Sequence, residues 1–118
     1  MPSVLVVDDA QFMRIRVRNL LEEQGYEVIE AKDGAEAVKF YAIHHPDLVL
    51  MDITMPVMDG LTALKAIREQ YPDAKIVMCS ALGQESTVIQ AIKAGAKDFI
   101  VKPFQPEKIL AAVRKQVG

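Results

Sequence analysis

Runs rich in Val, Ile and Leu recur five times along the chain: "VLVV" from Val4, "YEVIE" from Tyr26, "LVLM" from Leu48, "KIVMCS" from Lys75 and "DFIVK" from Asp98. Each is short, apolar and bounded by polar or turn-forming residues, the pattern of a strand. Between them the apolar period changes to that of an amphipathic helix. Met13, Val17, Leu20 and Leu21 mark the first helix, Val38, Tyr41 and Ala42 the second, and Leu61, Leu64 and Ile67 the third. Val88 and Ile92 mark a fourth, and Ile109, Leu110, Val113 and Val117 a fifth. Gly25 and Gly95 stand where helices should stop, Pro72 follows the third helix, and Pro106 suits the first turn of the last.

The alternation reads as (βα)5 and predicts an α/β fold, with a parallel sheet covered on both faces. Right-handed crossovers favour a doubly wound, flavodoxin-like, five-stranded sheet in the order 2-1-3-4-5. The expectation is one domain over residues 1–118, with no output domain and no linker, repeat or low-complexity stretch.

The chain is 51% hydrophobic and 25% charged, with a net charge of −2, which suits a globular protein and speaks against a nucleic-acid binder. The single cysteine, Cys79, rules out an internal disulfide and a paired-cysteine metal site, and reads as a small core residue. The start "MPSVLVVDDA" has neither a basic leader nor a long apolar segment, and no stretch reaches the ~18 apolar residues of a membrane span. These features predict a cytoplasmic protein without membrane insertion.

Open parallel sheets place their sites beyond the carboxyl ends of the strands. The first strand runs out into Asp8 and Asp9, the third into Asp52, the fourth into Ser80 and the fifth into Lys102. Singly, each has an ordinary reading: a cap of the first helix for Asp8 or Asp9, a turn for Asp52 or Ser80, a solvated cation for Lys102. Together they are harder to set aside, because strands one and three are neighbours and bring three carboxylates into one cleft. Two unit charges ~4 Å apart repel by about 4 kcal/mol at an effective dielectric of 20. Oxygen ligands from Asp9, Asp52 and a backbone carbonyl suit Mg2+, which accepts an incomplete protein cage. A carboxylate, a metal site, an ammonium and a hydroxyl form the set needed for phosphoryl transfer to the carboxylate.

The segments "VVDDA", "MDITMPVMDG", "CSA" and "KPF" resemble, in order and spacing, the receiver domain of two-component response regulators along essentially the whole chain. The resemblance implies Asp52 as phosphoacceptor, Asp8 and Asp9 as the acidic pair, and Asp8, Asp9, Asp52 and the carbonyl of Thr54 around Mg2+. It implies Lys102 and Ser80 as phosphoryl-stabilising groups, Ser80 and Phe99 as switch residues, and Thr54 and Leu82 as tuners of dephosphorylation. It also suggests a cis peptide bond between Lys102 and Pro103. Implied partners are a histidine kinase, a phosphatase and a downstream protein such as a flagellar motor switch protein.

The layout most resembles single-domain chemotaxis regulators of the CheY type, with output through the face of helix four, strand five and helix five. Ile89, Lys93, Phe99, Gln105 and Lys108 are candidates for that face. A phosphorelay intermediate outside chemotaxis remains an alternative, as does a receiver-like module that is never phosphorylated. A phosphatase of the haloacid dehalogenase type would need a second aspartate two residues after the nucleophile, which Asp52-Ile53-Thr54 and Asp9-Ala10-Gln11 lack. A dinucleotide carrier would need a glycine-rich fingerprint that is absent. His44 and His45 read as a helix end, and Arg14, Arg16 and Arg18 as a solvated side of helix one.

Overall fold

The computed structural model describes residues 1–118. Its elements alternate without interruption: β1 (Ser3–Val7), α1 (Gln11–Glu23), β2 (Glu27–Ala31), α2 (Gly34–His44), β3 (Leu48–Met51), α3 (Gly60–Gln70), β4 (Ile76–Ser80), α4 (Glu85–Lys93), β5 (Asp98–Val101) and α5 (Pro106–Val117). All strand pairs are parallel and the order is β2-β1-β3-β4-β5, as the sequence predicts. No helix is long and apolar enough to cross a membrane.

The central strands are apolar throughout because both of their faces are covered. Alternate residues divide between two cores. Leu5, Val7, Val49, Met51, Ile76 and Met78 pack with Ala37, Leu64, Ile67 and Ala91 from α2, α3 and α4. Val4, Val6, Leu48, Leu50, Val77 and Cys79 pack with Val17, Leu21, Ile109 and Val113 from α1 and α5.

Helix phase departs from the sequence reading at two places. In α2 the buried positions are Gly34, Ala37 and Tyr41, while Ala42 is exposed. The phase is set at the helix start, where the Gly34 N–H donates to the carbonyl of Met58 at 2.9 Å and a Cβ on Gly34 would collide with that carbonyl. In α4 only Ala91 is buried, and Ile89 and Ile92 are 45% and 46% exposed. A small residue against the sheet lets the helix lie close, and it turns the larger side chains outward.

Helix starts are capped by residues the sequence reading did not single out. Asp33 accepts from the Glu36 N–H and Asp59 from the Thr62 N–H, each at 2.8 Å. The N-cap of α1 is Ala10, with no side-chain cap, so neither Asp8 nor Asp9 has the capping role open to it from sequence. Gly25 and Gly95 take positive φ at the ends of α1 and α4, and His45 does so after α2.

The loop from β3 to α3 is pinned at both ends and strained at its apex. The Gly60 N–H donates to Ile53 at 2.7 Å, and a Cβ at Gly60 would overlap the carbonyl of Asp52. Between these anchors Val57 has φ +69 and is 84% exposed, while the Met58 N–H bonds back to Pro56 at 2.7 Å. This is a γ-turn of the strained, positive-φ kind, centred on a β-branched residue.

In urea denaturation, Val57→Gly should raise stability by about 1 kcal/mol, after the greater freedom of glycine in the unfolded chain is set against the relieved strain. Gly60→Ala should lower it by about 2 kcal/mol or more, because backbone must move. A loss of stability in Val57→Gly, the entropic cost of glycine with no strain relieved, would mean that the turn is unstrained.

Candidate functional site

Asp8, Asp52, Ser80 and Lys102 each stand at the last residue of a strand or the next one, on the same edge of the sheet. Parallel pairing aligns Val7 with Met51, so the residues that follow, Asp8 and Asp52, emerge side by side. Carboxylate oxygens of Asp8, Asp9 and Asp52 all lie within 4.8 Å of one another. The sequence expectation of three acids in one cleft is met.

Asp8 is buried, and every polar group it owns is engaged. Its N–H donates to Ala31 at 3.1 Å. Its carbonyl accepts from Arg14 Nη1 at 2.7 Å, Oδ1 accepts from the Ala10 N–H at 2.9 Å, and Oδ2 accepts from Lys102 Nζ at 2.6 Å. Asp52 is held by fewer bonds. Its Oδ1 accepts from the Ile53 N–H at 2.7 Å and its Oδ2 from Lys102 Nζ at 3.2 Å. Asp9 is exposed.

Lys102 is therefore no solvated cation. Behind it the cleft is closed by apolar side chains, with Val6, Met13, Leu50 and Phe104 around a void of about 20 Å³ that Asp8, Asp52 and Lys102 also border. Burial pushes the Asp52 pKa up; Lys102 opposes this, the Asp8 charge adds to it, and the balance stays above the ordinary carboxylate value. Burial acts against the Lys102 ammonium too, but the hydrogen bond and charge of Asp8, joined by Asp52, outweigh it and raise its pKa. The two directions agree with the distances: Lys102 sits closer to Asp8 and leaves Asp52 undercompensated.

One ammonium faces three carboxylates, so the cleft carries an excess of negative charge. The donor set is all oxygen and Asp9 opens to solvent, which fits a hard divalent cation that keeps several waters. Thr54 is exposed in the loop two residues beyond Asp52.

Ser80 is 1% exposed, and its Oγ accepts from the Leu82 N–H at 3.1 Å while its carbonyl accepts from the Lys102 N–H at 2.9 Å. Its hydroxyl thus holds a local turn, the ordinary role open to it from sequence, directly beside the lysine. Leu82 stands at the rim, 41% exposed. Phe99 is half-buried on β5 and borders an open groove toward α5 with Val101, Lys108 and Lys115. The Lys102-Pro103 bond is cis. His44 and His45 end α2 as expected, with the His45 ring 5.4 Å from that of Tyr71.

Arg14 departs from the sequence reading. It is largely covered and bonded to the Asp8 carbonyl and to Glu30, not part of a solvated side. Its partner lies on β2, and no local pattern in the sequence announces such a contact.

The response regulator receiver domain matches residues 4–114 as a family. The chain is 58% identical to the chemotaxis protein CheY of Bacillus subtilis over 98% of its own length and 97% of that protein's. It is 56% identical to CheY of Thermotoga maritima, over 95% and 94% of the two chains. Among solved structures, a CheX-CheY-BeF3-Mg2+ complex from Borrelia burgdorferi is similar with a TM-score of 0.93 and 42% identity, over 97% of this chain and 87% of that one.

In metal-free protein, Lys102→Met should lower stability at neutral pH by on the order of 1–3 kcal/mol, the cost of leaving buried carboxylates without their donor. Asp52 has a folded pKa above its unfolded one, so its ionised form is a liability that fades as the pH falls through the raised value. The deficit of Lys102→Met should accordingly narrow toward acid. Urea denaturation of both proteins across the carboxylate range checks this, and a constant deficit would contradict it.

Proposed function

The chain belongs to the response regulator receiver family, a phosphorylation-activated signalling switch, and on that premise we propose that Asp52 is the phosphoacceptor and that the pathway is chemotaxis. The observation that carries the assignment is the three-carboxylate cleft bridged by Lys102. The names of its relatives, with 56–58% identity along nearly the whole chain, support the pathway.

Asp8, Asp9, Asp52 and the Thr54 carbonyl would hold Mg2+, which when bound supplies positive charge to the phosphoryl oxygens. The phosphodonor is a phosphohistidine on a histidine kinase or a small phosphorylated molecule. An Asp52 carboxylate oxygen attacks the phosphorus in line, an O–P bond forms, the bond from phosphorus to the donor breaks, and the leaving group departs with that electron pair. The Ile53 N–H fixes one carboxylate oxygen and so sets the plane of attack. Lys102, already at the rim with both acids, moves from Asp52 to the new phosphoryl oxygen. In these ways the chain assists its own phosphorylation.

Ser80 then turns its hydroxyl from the Leu82 N–H to donate to the phosphoryl group. That movement frees the turn after β4 and the space that Phe99 enters, so one local bond biases a two-state surface. The α4, β5 and α5 face carries the output to a downstream protein such as a flagellar motor switch protein, and a phosphatase or water ends the signal. Leu82 and Thr54 tune that last step by shaping access to the acyl phosphate.

Incubation with acetyl phosphate and Mg2+ should add one phosphoryl group to the intact protein and none to Asp52→Asn, as read by mass spectrometry. An adduct retained in the variant would remove Asp52 from the role. In soft agar, the host carrying Asp52→Asn should lose ring expansion without loss of growth, and normal expansion would count against chemotaxis. Leu82→Gln should shorten the phosphorylated lifetime several-fold, since an apolar rim hinders water; an unchanged lifetime would leave Leu82 without a tuning role.

A further inference from the structure

Asp9 is the exposed member of the acidic pair, yet the peptide groups on both sides of it are pinned. On one side the Asp8 carbonyl, which shares a rigid plane with the Asp9 N–H, accepts from Arg14 Nη1 at 2.7 Å. On the other the Ala10 N–H donates to Asp8 Oδ1 at 2.9 Å. The Asp9 backbone is held between these two bonds, so the direction of its Cα–Cβ bond follows from them.

The Arg14 end of this arrangement is braced. Its Nε donates to Glu30 Oε1 at 3.2 Å, and Arg18 Nη1 holds the other Glu30 oxygen at 2.8 Å. Arg18 is itself paired with Glu22 at 3.3 Å. A planar guanidinium held at two of its nitrogens cannot rotate away from the carbonyl, whereas a lysine could satisfy the carbonyl or the carboxylate but not both in this geometry. Arg14 and Glu30 are both largely covered, with side chains 15% and 24% exposed.

We propose that Arg14 is a positioning residue for the cation site: by clamping the Asp8 carbonyl it fixes the peptide that presents the Asp9 carboxylate to Mg2+. The inference rests on the metal site proposed above. It has a sign that simple electrostatics does not share. A guanidinium near a cation site repels the cation, so its removal should tighten binding if charge alone mattered. If Arg14 acts through geometry, its removal weakens binding.

Calorimetric titration of metal-free protein with Mg2+ separates the two. Wild type should bind, Arg14→Gln should bind about tenfold more weakly, in the range found for outer-shell partners of metal ligands, and charge-retaining Arg14→Lys should also be weaker than wild type. In the metal-free state the backbone amide resonances of Asp9 and Ala10 should shift in both variants. Arg14→Lys keeps the test open should Arg14→Gln fail to fold. Tighter binding in Arg14→Gln, or unchanged affinity in both variants, overturns the inference. Absence of Mg2+ binding in wild type overturns the metal site itself, and with it this role for Arg14.

Discussion

Lys102 Nζ stands between carboxylates that the parallel sheet forces together. Pairing of β1 with β3 fixes the separation of Asp8 and Asp52, and apolar side chains behind them deny the charges full solvation. Without a cation in that position the strand ends would repel each other in a medium where repulsion is strong. Yet the compensation is unequal, since the shorter bond goes to Asp8 and the longer to Asp52. Asp8 is thereby fixed as scaffold, while Asp52 keeps a carboxylate that is short of positive charge and disposed to gain more. The site is tied together by its ion pairs and still left with an excess of negative charge.

The surroundings keep that imbalance in place. Gly60 lies so near the Asp52 carbonyl that no side chain fits, and Gly34 does the same for Met58, so the start of α2 and the start of α3 both brace the loop after β3. The strain of Val57 persists because those anchors leave the loop no relaxed path. On the opposite side of the cleft, the β1–α1 turn depends on a side chain from the helix itself. These are contacts of backbone with backbone or with a planar cation, the kinds that hold an atom to within fractions of an ångström.

Much of this was legible from the sequence. Short unbroken apolar runs bounded by turn residues read as strands covered on both faces, and a charged residue at the end of such a run emerges at the sheet edge, which places Asp8, Asp52 and Lys102 from the sequence alone. Helix phase was less legible. Alanine carries little hydropathic signal, so the sequence reading marks Ala42 and Ile92, which are exposed, and does not mark Ala37 and Ala91, which are buried. Arg14 was invisible for a different reason, since its partners sit on other elements and an arginine near other arginines looks like solvated surface. The caps at Asp33 and Asp59 had a usable signal, an aspartate immediately before each helix, reinforced at Asp33 by Glu36 three residues on. Val57 had none, because nothing in its chemistry favours a positive φ.

The scant anchoring of α4 gives the molecule a proportion between lever and load. With one buried residue it has fewer than any other helix, and its isoleucines spend nearly half their surface in water. Local opening free energies follow such burial, so this helix lies at the shallow end of the stability range within the domain. A single hydrogen bond exchanged at the end of β4 contributes about 1 kcal/mol. On the proposed mechanism, that sum would weigh more against this helix than against one with several buried residues. The sheet interior and the least anchored helix are joined through one short turn, so on the proposed mechanism a rearrangement too small to disturb the core would redistribute the surface.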